Sequence, residues 1–123
     1  MRRLQDVKGE EALDVLADVL DYAVRLVKND KIREALNSRG FRDIETIKLL
    51  IKEGKHELIS IMAIIDGKPY DEFVETLDLL TLPVMLYQTF NDEALQSVFI
   101  SQAQTTGVTS SGLATETTEE NGK

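Results

Sequence analysis

The chain of 123 residues shows no grouping of side chains that points to acid–base, nucleophilic or metal chemistry. His56 is the single histidine, and it follows Gly54 and Lys55 with no base or metal-ligand partner nearby in the sequence. The chain has no Cys, which excludes disulfides, thiolate zinc sites and thiol nucleophiles. A catalytic site needs several convergent groups, so we interpret His56 as a solvated side chain.

Carboxylates recur along the first predicted helix at Asp14, Asp18 and Asp21, a pattern that raises the question of a hard-cation site. Ca²⁺ needs about six or more oxygen ligands, which one straight helical face does not supply. We therefore interpret these carboxylates as a solvated face, and the acidic pairs at 71–72 and 119–120 as capping and solubility devices. The sequence predicts no catalytic residue, no metal site and no cofactor, and we expect a protein that is not an enzyme.

The charge balance limits the partners further. Lys and Arg total 14 against 22 Asp and Glu, which gives a formal net charge of -8, and the basic residues are interleaved with acids. Nucleic-acid binding needs clustered positive charge, so we expect no nucleic-acid partner. The apolar run at 58–65 is too short to cross a bilayer, and no apolar stretch follows Met1-Arg2-Arg3 as in a signal peptide. We expect no membrane contact and a cytoplasmic location.

Apolar periodicity predicts an all-α fold, with one small multi-helix domain over residues 1–103. The predicted helices cover approximately residues 10–28, 31–38, 43–53, 57–66, 81–91 and 92–103. Residues 57–66 are so uniformly apolar that the pattern alone fits helix or strand, and their length and helical surroundings favour helix. Phe73, Leu77 and Leu80 are spaced like one helical face in the mixed segment before residue 81.

Polar and glycine residues mark the predicted ends of these helices. Asp30, Thr81 and Asp92 are placed as N-caps, and glycine follows two helices at positions 40 and 54. Residues 66–69 read Asp-Gly-Lys-Pro, which predicts a turn.

Residues 104–123 differ in composition from the preceding domain. They contain six Thr, two Ser and three Gly, and their apolar residues are only Val108, Leu113 and Ala114. Such a segment buries too little apolar surface to offset the entropy of ordering it. We predict a flexible polar C-terminal tail.

The first predicted helix carries two adjacent apolar stripes, which is more than one core face needs. The stripe that we assign to the core consists of Leu13, Leu16, Leu20, Ala23 and Val27. The second stripe adds to Ala12 four larger side chains: Val15, Val19, Tyr22 and Leu26. A central helix covered on most sides would bury both stripes. We favour the alternative that these four larger side chains bind a partner, because a domain of about 100 ordered residues has little surface to spare for covering so wide a face. Burial of each side chain is worth about 1.5–3 kcal/mol before association costs.

Three segments resemble tail assembly chaperones of long-tailed, siphovirus-type phages and prophages of Gram-positive bacteria. They are residues 4–18 (LQDVKGEEALDVLAD), residues 79–84 (LLTLPV) and residues 110–120 (SSGLATETTEE). The resemblance follows the chain in order over essentially its whole length. It consists of apolar patterning and these short strings, since the family has no catalytic motif.

The resemblance implies a small, all-helical, non-virion protein that acts in the host cytoplasm during viral tail morphogenesis. Such chaperones bind the hydrophobic tape measure protein and keep it soluble while the tail tube assembles, and they tend to self-associate. The expected partners are therefore the tape measure protein, further copies of the chain and the tail tube protein. An apolar face suits such a client, and the acidic remainder favours solubility.

Two other interpretations stay open from the sequence. The chain could be a structural component of the neck or tail that remains in the virion, or a small acidic helical regulatory adaptor. A DNA mimic would need dense and regular carboxylates, whereas Arg25 and Lys28 interrupt the acidic stripe.

Overall fold

The computed structural model describes residues 2–109, with side chains through residue 104. Within this range the chain forms one short 3-10 helix and seven α-helices, and it contains no strand. The 3-10 helix is Leu4–Asp6, and the α-helices are α1 Glu10–Val27, α2 Asp30–Ser38, α3 Ile44–Glu53, α4 Lys55–Asp66, α5 Tyr70–Val74, α6 Leu82–Phe90 and α7 Glu93–Thr109. The all-α prediction is confirmed, and residues 57–66 are helical as predicted.

The central helix of the fold is α1, which packs most extensively against α4 and also contacts α7 and α2. The other contacts join α2 with α3 and α7, α4 with α3 and α5, and α7 with α6 and the 3-10 helix. The core between these helices is mainly aliphatic. Its aromatic part is formed by Phe41, Phe90 and Phe99, where the Phe41 ring centroid lies 4.7 Å from that of Phe90 and 4.9 Å from that of Phe99.

Local hydrogen bonds set the helix ends. The side chain of Asn29 accepts a hydrogen bond from the backbone N–H of Ile32 at 3.1 Å, so the cap of α2 is Asn29 and not Asp30 as predicted. Asp43 caps α3 in a similar way. At the end of α4, Gly67 adopts a left-handed conformation with φ 77°, which residues with a Cβ rarely adopt, so the predicted turn is confirmed.

Helices α3 and α4 meet at Gly54, where the side chain of Leu26 on α1 lies directly against the backbone. A Cβ added at Gly54 would overlap Cδ2 of Leu26. The φ of Gly54 is -136°, so glycine is needed here for space and not for a left-handed conformation. This contact fits the α3–α4 junction closely onto the central helix.

The segment before α1 is held by polar contacts to two other helices. The buried side chain of Asp92 caps α7 as predicted, with Oδ1 accepting backbone N–H bonds of 3.1 and 3.3 Å, and its Oδ2 accepts the backbone N–H of Leu4. Arg2 donates from Nε to the carbonyl of Ile65 in α4, and it forms an ion pair with Glu11 at 3.0 Å. These contacts hold the N-terminal segment against α4 and the start of α7.

The mixed segment after residue 69 is only briefly helical. Phe73 is buried, but α5 ends at Val74. Leu77 is half-buried and Leu80 is exposed, so the predicted common helical face of these residues is wrong beyond α5.

The last helix, α7, continues to Thr109 and therefore includes the first residues of the predicted tail, which starts at residue 104. The rest of the predicted tail lies outside the described residues. The helical domain is thus longer at this end than the predicted boundary at residue 103.

Candidate partner-binding groove

The single histidine lies on the surface, next to Tyr70. His56 is exposed, its Nδ1 lies 3.2 Å from the hydroxyl of Tyr70, and the two ring centroids are 4.8 Å apart. Over residues 2–109, no group of three His, Asp or Glu side chains is placed to hold a metal ion. The structure therefore pairs His56 with an aromatic side chain on the surface.

The acidic residues of α1 lie on the outer face of the helix. Asp14, Asp18 and Asp21 are all exposed, as predicted. Arg25, which follows on the same stripe, stacks its guanidinium over the Tyr22 ring, 4.7 Å from the ring centroid, and forms no ion pair with another described side chain. This stripe is an acidic, solvated surface.

Three of the four predicted partner-binding residues lie in the core. Val15 is 7% exposed, Val19 is 0% exposed and Leu26 is 2% exposed, while Tyr22 is half-buried. The physical reason is that α4, α7 and α2 cover this side of α1. These side chains pack against the chain's own helices, so we correct the prediction and move the partner surface elsewhere.

The stripe of α1 that was assigned to the core is the more open one. Ala23 and Val27 are buried, but Leu16 and Leu20 are half-buried and Leu13 is 69% exposed. The helix is therefore rotated relative to the predicted orientation. Spacing alone identified two apolar stripes but could not assign each to the core or to the surface.

Large exposed apolar side chains concentrate around α3 and α6. Among the described side chains, the large apolar residues that are well exposed outside this region are Leu13 and Val74. Those within it are Ile44, Leu79, Leu80, Val84 and Tyr87. Concentrated apolar surface on a folded domain is typical of an interaction site.

Two adjoining cavities form a groove between α3 and α6, which we call the apolar groove. One cavity, of about 200 Å³, is lined chiefly by Ile51, Leu58, Met62, Leu77, Leu82 and Leu86. The other, of about 560 Å³, is lined chiefly by Ile44, Ile47, Ile51, Leu86, Tyr87 and Phe90. Ile51 and Leu86 line both cavities, so the two cavities adjoin at these side chains.

One wall of the apolar groove is an isoleucine stripe of α3. Ile44, Ile47 and Ile51 recur at helical spacing and share a face. The neighbouring side of α3 enters the core through Thr46 and Leu50, which are both fully buried. Ile47 and Ile51 are half-buried and also pack against the core, so they contribute to both the core and the groove, whereas Ile44 is exposed.

The other wall is α6, which is anchored at its C-terminal end. Phe90 joins the buried phenylalanines, and Thr89 is buried with its hydroxyl donating to the carbonyl of Met85 at 2.8 Å. Leu82 and Leu86 face the groove instead of being fully buried. The rest of the domain covers only part of the apolar surface of this nine-residue helix.

The loop that enters α6 is organised by Asp78. Its Oδ1 accepts the backbone N–H of Leu80 at 2.9 Å, and the backbone N–H and hydroxyl of Thr81 at 2.8 and 3.1 Å. These bonds, led by the backbone N–H of Thr81, lower the pKa of Asp78 below its ordinary value. Thr81 occupies the N-cap position of α6 as predicted, but its side chain bonds to Asp78 and not to a helix N–H. Within this turn, Leu79 and Leu80 are 88% and 87% exposed.

A separate depression of about 600 Å³ runs along α7, but its lining does not favour a ligand. It mixes Arg42 and Glu93 with Gln96 and Ser97 and is wide open to solvent. The lining of the apolar groove is far more uniform in chemistry. We therefore assign the candidate site to the apolar groove.

Comparisons of the chain with protein families, with curated proteins and with solved structures give no match. No helix in residues 2–109 combines the length and the apolar character that crossing a membrane requires.

Proposed function

We propose that this chain is a tail assembly chaperone and that it binds apolar helical segments of a tape measure protein in the apolar groove. The sequence resemblance and the apolar groove both support this proposal. The resemblance covers residues 4–18, 79–84 and 110–120, and the second of these segments includes Leu82 and Pro83, which line the groove. The protein acts in the host cytoplasm, without catalysis or a cofactor, and leaves the assembled tail.

The observation that carries the proposal is the exposure of large apolar side chains on an otherwise well-packed domain. Ile44 is 63% exposed and Tyr87 is 71% exposed, on opposite walls of the groove. Burial of such side chains is worth about 1.5–3 kcal/mol each, from which association costs are subtracted. Because association costs offset much of this gain, a few such anchors give weak and reversible binding, which suits a client that must be released.

The test is co-expression with a tape measure protein. We expect the wild-type chain to keep the client in the soluble fraction and to co-purify with it. Tyr87→Glu places a charge in the groove and should return the client to the insoluble fraction. Leu13→Glu is the matched control, because Leu13 is 69% exposed on α1, outside the groove, and it should behave as the wild type.

Three outcomes would contradict parts of this proposal. An insoluble client with the wild-type chain would overturn the chaperone function. A soluble client with Tyr87→Glu would exclude the groove as its binding site. Mass spectrometry that finds the chain in purified virions would favour a structural component of the neck or tail instead.

A further inference from the structure

The charged side chains that line the apolar groove are all cationic. Lys55 borders the cavity near α4, while Arg42 and Lys48 border the cavity near Tyr87. No Asp or Glu lines either cavity. This is unexpected in a chain with a formal net charge of -8, because acidic residues outnumber basic ones on the molecule as a whole.

These cations are largely available to a partner. Lys48 lies 3.6 Å from Glu45, in an exposed pair of a kind that contributes little stability. Neither Arg42 nor Lys55 forms an ion pair with another described side chain, and both are exposed. The groove thus combines an apolar floor with positive charge at both of its ends.

We infer that the apolar groove selects amphipathic helices whose apolar stripe is bordered by Asp or Glu. This inference rests on the proposed function and specifies the client segment that the groove accepts. The apolar stripe lies on the isoleucines of α3 and on Leu86, and the flanking carboxylates face Arg42, Lys48 and Lys55. Apolar contact supplies most of the affinity, and charge complementarity decides which segments bind and in which orientation.

The dimensions of the groove define the bound segment. Helix α6, which forms one wall, has nine residues and is therefore about 13 Å long. A bound helix would contact the groove over roughly two to three turns, which corresponds to anchors at positions i, i+3 or i+4, and i+7. Its acidic residues must lie next to these anchors on the helix surface.

Two labelled peptides test the inference by fluorescence anisotropy with the full chain. Both carry the same apolar stripe, and the flanking positions are Glu in one and Lys in the other. We expect the wild-type chain to bind the Glu peptide about three- to tenfold more tightly at low salt, because two or three exposed pairs contribute modestly. The preference should shrink at about 1 M salt, where charges are screened over roughly 3 Å.

Charge reversal supplies the matched variants. Arg42→Glu/Lys55→Glu should invert the preference, whereas Lys8→Glu/Lys31→Glu, which changes the net charge equally at exposed sites outside the groove, should keep it. A wild-type preference for the Lys peptide would show that the net charge of the chain governs binding. Equal affinities would show that the groove does not discriminate between peptides by their charge. Either result overturns the selectivity and leaves the groove as an apolar site. If neither peptide binds, the groove itself is excluded.

Discussion

The two sides of this domain use similar apolar residues for different purposes. On the side of α1 and α4, Val15, Val19 and Leu26 are buried, and Leu26 lies so close to Gly54 that no Cβ fits between them. On the side of α3 and α6, isoleucine and leucine side chains line a groove that stays open. Burial on the first side stabilises the fold, and exposure on the second leaves surface for a partner.

The difference follows from how each helix is covered. Helix α1 lies against three other helices, whereas α6 packs mainly against α7 and is anchored through Phe90 at one end. A short helix that is fixed at one end can keep its other apolar residues exposed without unfolding the domain. We therefore expect substitutions on the α1 side to change stability and substitutions in the groove to change binding.

The largest effect that separates the two sides is expected for Val19→Glu. Val19 is fully buried, and an unpaired carboxylate there costs more than the roughly 4 kcal/mol that marks exceptional substitutions. Thermal unfolding followed by circular dichroism should show that the cooperative transition is lost. Leu13→Glu, on the same helix but exposed, should stay within about 0.5 kcal/mol of the wild type.

A folded Val19→Glu protein would break this comparison. If the variant kept its helicity and its unfolding transition while an oligomer became smaller by ultracentrifugation, Val19 would contact another chain. The predicted partner surface on Val15, Val19, Tyr22 and Leu26 would then be restored.

The sequence predicted the elements of this fold better than their orientation. Helical spacing is a local property, so α1 and α3 could be located from periodicity alone. Which stripe of α1 is buried depends on α4 and α7, which lie far away along the chain. Leu13 and Val15 have similar apolar character, and only packing in three dimensions makes one exposed and the other buried.

The lining of the apolar groove could be predicted from the sequence only in part. The stripe of Ile44, Ile47 and Ile51 was visible, but its spacing fits a core face equally well. Leu79 and Leu80 also look like core residues until the hydrogen bonds of Asp78 are known. Asp side chains often accept backbone N–H groups two or three residues further along the chain and so form turns. Asp78 was therefore the clue in the sequence to this exposed loop.

A smaller effect tests the close fit at the α3–α4 junction. Gly54→Ala should destabilise the domain by about 1–3 kcal/mol through overpacking against Leu26, and Leu26→Ala by about 2–5 kcal/mol through the cavity it leaves. The double variant should cost less than the sum, because the new Cβ occupies part of that cavity. Urea unfolding of the four proteins measures this coupling. Strictly additive values would show that Gly54 and Leu26 do not share tight packing.

The smallest effect concerns the loop that enters the groove. The pKa of Asp78 is lowered in the folded chain by hydrogen bonds from Thr81 and Leu80, so its contribution to stability is present above the ordinary Asp pKa and is lost as pH falls through the lowered value. Asp78→Ala should therefore lower Tm at pH 7, and the difference from wild type should narrow on acidification below about pH 3.9. Glu75→Ala, at an exposed position just after α5, is the control and should change Tm little at either pH. A difference that stays constant or widens in acid would show that the Asp78 carboxylate does not organise this loop through its charged form.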